Sequence, residues 1–239
     1  VPHSRVVAVM RRIGEQAADY ARRHGVPRWY DDTGSLLADP EVNAVYVATP
    51  PGSHAEYTVR AAQAGKPVYV EKPMARTYAE CRQMIDACRE ADVPLYVAYY
   101  RRTLVMFLKI KKWIDDGRIG AVRFVHIQLV QPRHPALIAD SEENWRVLPE
   151  IAGGGYFYDL ASHQLDYLDF LFGPITEVRG LKANQAGLYP ADDIVAASFA
   201  FENGVIGNGL WCFTATASAR KEEVTIVGDR GTITFPTFG

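Results

Sequence analysis

The sequence predicts two domains of different class. Residues 1–100 read as an α/β domain on a parallel sheet, and residues 101–239 as an α+β domain with a large, mostly antiparallel open sheet. Three observations carry this. The first half alternates short, wholly apolar runs with helix-period stretches, the pattern of parallel strands buried on both faces. The second half replaces these with long runs that alternate apolar and polar residues, as in a sheet with one packed face. The change of pattern falls between residues 100 and 118, and 239 residues at 48% hydrophobic content supply enough apolar surface for two modest cores.

The elements follow in order. Val6 to Met10 reads as a strand, and Gly14 to His24 as a helix that Gly25 and Pro27 end. Ala44 to Ala48 is a second strand, Ser53 to Ala64 a helix closed by Gly65, and Val68 to Val70 a third strand. Thr77 to Ala91 is a helix opened by a Thr77–Glu80 capping box, with Met84, Ile85 and Cys88 on one face. Leu95 to Ala98 is a fourth strand. A helix from Leu104 to Asp115 leads into "GAVRFVHIQLV", a long half-exposed strand, and a further helix spans Gly155 to Phe172. Alternating strands then cover Glu177–Asn184, Ile194–Phe201, Val205–Phe213, Glu223–Val227 and Thr232–Phe235, separated by turn signals such as "ENG" and "GDRG".

Composition removes several function classes. A net charge of -2 without like-charge blocks leaves no basic footprint for nucleic acid. No apolar run approaches the roughly 20 residues of a membrane helix. No signal-peptide pattern opens the sequence. Cys81, Cys88 and Cys212 have no metal-ligand spacing, and core packing suits the first two. A cytoplasmic, reducing setting is the expectation.

The sequence reads as opening at the second strand of a mononucleotide-binding unit, and no G-x-G-x-x-G occurs in it. Either the fold is not dinucleotide-binding, or the first strand, its turn and its helix lie outside this chain.

Four stretches could carry chemistry. In "VVAVMRR", Arg11 and Arg12 stand where a dinucleotide fold reads the adenosine ribose, and no acid does. Guanidinium suits a 2′-phosphate, although two solvated arginines at a helix start would look the same. In "VATPPGSHAEY", Thr49, Pro50, Ser53 and His54 follow the carboxyl end of a strand, where open α/β sheets bind ligands. An ordinary N-cap by Ser53 with an exposed His54 is the plainer reading. In "VYVEKPMA", Pro73 ends the strand and Lys72 projects from its carboxyl end, as site residue or as half of a surface Glu71–Lys72 pair. In "AGGGYFYDLASHQLDYLDFL", Asp159 and His163 lie four apart on one helix face, an acid/base pair or a satisfied structural one. Asp166 lies near the same edge, while Leu160, Leu165, Leu168 and Leu171 suit the core. This pair lacks the further ligands a metal would need, so no metal is expected.

Together, "VYVATPPGSHAEY", "GKPVYVEKPMA", "NWRVLPEIAGGGYFYDLASHQLDYL" and "VGDRGTITF" resemble, in order and spacing, the Gfo/Idh/MocA family of nicotinamide-dependent oxidoreductases. The resemblance implies an incomplete Rossmann-type domain, then an α+β domain whose open sheet often joins dimers or tetramers. It implies catalytic roles for Lys72, Asp159 and His163, and positions lining the cofactor cleft for Thr49, Pro50, His54, Glu71 and Lys72. Arg11 and Arg12 fall where NADP-using members carry arginine. Tyr100, Arg102, Trp145 and Arg146 fall near positions that shape the substrate pocket. The family's Gly-rich phosphate turn and C-terminal portion are absent from this sequence. A cis Lys72–Pro73 bond is expected, and "QPRHPALIADSEENW", with Arg133 and His134, is read as a loop over the pocket.

The function implied is hydride transfer between NADP (or NAD) and a secondary alcohol or ketone of a sugar, polyol, cyclitol or cyclic diol. A non-catalytic sugar- or nucleotide-binding protein and a redox-assisted glycoside hydrolase are the competing classes.

Overall fold

The computed structural model describes residues 4–133 and 144–239. The chain divides into two compact units, Val1–Ala98 and Tyr99–Gly239.

The first unit runs β1 (Ala8–Met10), α1 (Gly14–His24), β2 (Arg28–Tyr30), α2 (Thr33–Ala38), β3 (Val45–Val47), α3 (His54–Gln63), β4 (Val68–Val70), α4 (Tyr78–Glu90) and β5 (Leu95–Val97). All strand pairs are parallel, but they form two sheets, β1-β2 and β3-β4-β5, rather than one. β2 and α2 were not foreseen. "RWY" is too short and too polar to show a period, and "TGSLLA" holds less than two helical turns. α2 is nonetheless well started, because the Asp32 side chain accepts from the Ser35 N–H.

The three-stranded sheet corrects a second expectation. Val47, Val68 and Val70 pack with Ala61, Ala62, Met84 and Cys88 from α3 and α4. Tyr46, Tyr69 and Tyr96 share one register and are exposed on the opposite side. One face is covered, not two. The strands look wholly apolar because tyrosine combines an apolar ring with a polar tip that tolerates water.

The helix ends follow local rules with two departures. Gly65 adopts φ 69° at the end of α3, as a C-terminal glycine should. Thr77 caps α4 by accepting from Glu80 N–H at 3.1 Å, but the Glu80 carboxylate grips Arg76, at its N–H (2.9 Å) and its guanidinium. Ser53 makes no side-chain cap to α3; a 3-10 turn over Pro51–Ser53 leads into that helix instead.

The second unit contains α5 (Val105–Asp115), β6 (Val122–Pro132), α6 (Pro149–Ala152), α7 (Ser162–Phe172), β7 (Ile175–Ala183), β8 (Ile194–Phe201), β9 (Ile206–Ala215), β10 (Lys221–Gly228) and β11 (Thr232–Phe235). They build a six-stranded sheet in the order β11-β10-β6-β9-β8-β7. Every pair is antiparallel except the central β6–β9 pair. Val125, Ile127, Leu129, Trp211, Phe213, Val224 and Ile226 cluster with Phe107, Tyr167 and Leu168 from α5 and α7. Full burial of side chains such as Ile127 and Leu129 contributes about 1.5–3 kcal/mol each. Several polar side chains inside this core are paired: Trp211 Nε1 donates to Gln164 Oε1 (2.7 Å), Gln164 Nε2 to Thr237 Oγ1 (3.3 Å) and Tyr167 Oη to Phe107 O (2.7 Å).

Candidate active site

In the first unit, the chosen residues gather at the carboxyl ends of parallel strands. Arg11 and Arg12 follow β1, are exposed, and form no ion pair among the described residues. Thr49 and Pro50 follow β3, and Glu71, Lys72 and Pro73 follow β4. The Lys72–Pro73 peptide is cis. Tyr46 Oη donates to Glu71 Oε1, while Glu71 Oε2 accepts the Lys72 N–H at 3.1 Å. Glu71 is therefore held from both sides at the strand end. Partial desolvation around its hydroxyl, then the Glu71 carboxylate, pushes the Tyr46 phenol well above its ordinary value.

His54 departs from its expectation. It is fully buried rather than exposed. Nε2 faces Thr49 O at 2.7 Å, and Nδ1 faces Pro73 O at 3.0 Å and Met74 O at 3.2 Å. A ring enclosed by backbone carbonyls on both sides cannot also contact a cofactor through its nitrogens. Its place in the unit is a tie between the segments that leave β3 and β4.

A dinucleotide fits the remaining groups. Thr49 Oγ1 is buried without a hydrogen-bond partner among the described residues, a hydroxyl that can both donate to and accept from a ligand. The carboxyl ends of β3 and β4 supply backbone groups beside it, and Arg11 and Arg12 offer unpaired positive charge.

In the second unit, Asp159 and His163 stand on consecutive turns, but not of one regular helix. Phe157–Ala161 forms a π-helical turn before α7 begins at Ser162. Such wide turns are frequent at functional sites. Two glycines crowded by their neighbours lie just upstream of this turn. Gly155 has φ 66° and a Cβ there would lie 2.6 Å from Ala191 Cβ, while one on Gly154 would overlap the Tyr158 ring. Asp159 pairs with Arg146 (Nε to Oδ2, 3.3 Å), both side chains being mostly buried, and Arg146 stacks over Trp145 at 4.4 Å. His163 is buried among ring edges of Tyr99, Tyr100 and Phe238, at 6.0, 6.0 and 5.8 Å between centroids.

Arg102 is occupied elsewhere. Its guanidinium makes a two-pronged contact with Asp166 and reaches Asp169 at 3.5 Å. Burial pushes the Asp166 carboxyl above its ordinary value, and Arg102 pulls in the opposite direction. Arg102 and Asp166 thus tie the 3-10 turn Tyr100–Thr103, which precedes α5, to α7, and Arg102 does not join the Asp159 pair. Sequence reading overlooked Arg101, which lies over both Tyr100 (5.4 Å) and Phe238 (4.6 Å) and so supports the rings around His163. No local pattern marks it, since Phe238 is 137 residues away in this sequence (238 − 101). The loop reading at His134 lies outside the described residues. Among the described residues, no cluster of His, Cys, Asp and Glu could hold a metal ion.

Residues 1–99 match the oxidoreductase family with an NAD-binding Rossmann fold, and residues 107–234 match the GFO/IDH/MocA C-terminal domain. The chain is 43% identical to oxidoreductase P35 of Formosa agariphila, over 98% of this chain and 71% of that protein. It is 33% identical to levoglucosan dehydrogenase of Pseudarthrobacter phenanthrenivorans, over 92% of this chain but 62% of the relative. Among solved structures, the WlbA dehydrogenase of Bordetella pertussis, in complex with NADH and UDP-GlcNAcA, superposes with a TM-score of 0.86 at 29% identity. That match covers 97% of this chain and 69% of the other. The two matched domains, in this order, make the chain a member of the GFO/IDH/MocA family of oxidoreductases.

Proposed function

We propose that the protein transfers hydride between NADP(H) and a secondary alcohol or ketone of a sugar, cyclitol or related cyclic diol. The observation that carries this is the Asp159–His163 arrangement: a carboxylate held by Arg146, one turn from a buried imidazole, on a π turn. One relative, 33% identical, is named a levoglucosan dehydrogenase.

The nicotinamide ring, when bound, supplies hydride acceptance and donation. His163 takes the proton from the reacting hydroxyl, or returns it in reduction. Lys72, at the end of β4, hydrogen-bonds the reacting oxygen and offsets the charge that develops there. Asp159, held by Arg146, orients substrate and His163. Thr49, Pro50 and Glu71 border the cofactor, and Arg11 and Arg12 favour a 2′-phosphate through charge and forked donors. In this assignment the first unit binds dinucleotide and the second binds substrate. Tyr100 and Trp145 shape the substrate pocket.

Two further parts of the proposal have their own support. Copies of the chain associate through the outer face of the six-stranded sheet, where Phe124 and Ile206 are exposed. Three free cysteines suit a reducing cytoplasm. No helix among the described residues is long and apolar enough to cross a membrane.

The test is Lys72→Ala in the full-length protein. Turnover of a polyol should fall at least about a hundredfold, the usual scale of one lost transition-state donor, with the thermal midpoint little changed. Turnover close to wild type would refute the assignment. Arg11→Asp should reverse an NADPH-over-NADH preference; an unaltered preference would make the arginines ordinary surface groups.

A further inference from the structure

We propose that Gln131 is a substrate-binding residue, its side-chain amide engaging a hydroxyl pair of the polyol. The inference deepens the function proposed above and rests on it.

Alternate residues of β6 face the core. Val125, Ile127 and Leu129 form the row facing the core, each fully buried. Gln131 continues that row at the carboxyl end of the strand and is also fully buried. Both Nε2 and Oε1 of its amide lack a hydrogen-bond partner among the described residues. A buried primary amide with neither end paired is rare, because desolvating it without compensation is unfavourable. The buried residues before it in the row, Val125, Ile127 and Leu129, are all aliphatic, so packing alone does not call for a glutamine there.

Its neighbours identify the place. The β6–β9 register runs from Val130↔Cys212 to Pro132↔Ala215, so Gln131 sits at a bulge opposite Phe213 and Thr214. Bulges re-aim side chains and are common beside sites. Phe213 packs on Tyr156 at 5.6 Å between ring centroids, and Trp211 packs on Phe157 at 5.1 Å. Tyr156 immediately precedes the π turn that carries Asp159. Gln131 therefore ends a core row whose partner strand supports the candidate acid/base turn.

The chemistry of the group selects its ligand. A glutamine amide offers donors on nitrogen and an acceptor on oxygen, and a hydroxyl both donates and accepts. Two neighbouring hydroxyls can engage the two ends of one amide. A fully enclosed amide would also discriminate strongly against a substrate lacking one of those hydroxyls, since its own groups would then stay unpaired.

The experiment uses the full-length protein, Gln131→Met, NADP and NAD, and levoglucosan, myo-inositol and D-glucose as probes. For each probe that wild type turns over, single-deoxy analogues are included. Gln131→Met should lower kcat/KM at least tenfold, chiefly through KM, and should leave the thermal midpoint unchanged or raised. For the deoxy analogue missing the contacted hydroxyl, variant and wild type should be equal within about twofold, as a coupled pair requires. Equal kcat/KM on every probe, with wild type active, would overturn the inference and leave the proposed function standing. A clear fall in thermal midpoint would also overturn it, by marking the amide as a structural group bridged through water. Wild type inactive on all probes with both cofactors would overturn the proposed function itself, and the inference with it.

Discussion

Replacing His54 by phenylalanine should destabilise the first unit by about 1–3 kcal/mol, the cost of leaving a buried carbonyl without its donor. The imidazole is fully buried and faces Thr49 O on one side and Pro73 O and Met74 O on the other. Carbonyl oxygens only accept. A neutral ring donates from one nitrogen at a time, so at least one hydrogen bond is lost when no nitrogen remains. Phenylalanine is flat and of similar size, so the added packing strain stays small. His54→Ala adds a cavity of aromatic size, which brings the total nearer 3–5 kcal/mol.

The assay is urea unfolding followed by tryptophan fluorescence, with Trp29 as the reporter inside the first unit. The midpoint should fall with the slope unchanged, since the surface exposed on unfolding is the same. His54→Gln retains one amide donor and should recover part of the loss. A second readout separates a tie from mere packing: cofactor affinity should weaken in His54→Phe, because the segments after β3 and β4 lose their common anchor. A change below about 0.5 kcal/mol, the scale of ordinary surface substitutions, would refute the reasoning.

Other consequences are equally direct. Gln164→Leu breaks both the Trp211 and the Thr237 hydrogen bonds and should lower the second unit's stability by about 2–4 kcal/mol in calorimetry, two buried groups being orphaned. Arg146→Met removes the partner of a mostly buried Asp159 carboxylate; turnover should drop at least tenfold, and Arg146→Lys should restore only part of it. Asp166 carries a carboxyl raised by burial, so its contribution to stability is full below the ordinary carboxylate range and declines as pH rises through the raised value. Arg102→Met removes the charge that opposes that rise, so its destabilisation, measured by urea unfolding, should be larger at pH 7 than at pH 4.

Legibility varied with the kind of information each feature needs. Val68–Val70, Ile194–Phe201 and Thr232–Phe235 have the boundaries read from alternation and turn residues alone, because those signals are local. The parallel pairing of β6 with β9 was not legible: alternation specifies which face is buried, not which strand lies alongside. The split between β1-β2 and β3-β4-β5 has the same cause. Asp159 and His163 were found by spacing, yet the Arg146 partner of Asp159 lies 13 residues away on another element, beyond any helical period. The burial of His54 was not legible, since nothing in "PPGSHAEY" announces that carbonyls from a later segment will close around it.

Which cations remain available for a ligand follows from which ones the fold has already engaged. Arg28 is held by Asp39 at 2.7 Å and Glu41 at 3.2 Å, Arg76 by Glu80, Arg102 by Asp166 and Arg146 by Asp159. Each of these guanidinium groups has a carboxylate within its own unit. Arg11 and Arg12 have none among the described residues, although they sit side by side at the end of β1 where two like charges repel. Such a pair contributes nothing to folding and is mildly unfavourable to it at low salt. Its place at the carboxyl end of β1 makes sense if, as proposed, a dianionic group of the cofactor relieves the repulsion on binding. That logic ties the cofactor proposal to salt: the preference for NADPH over NADH should shrink as ionic strength rises. A preference that holds constant from low to high salt would point to shape rather than charge as its source.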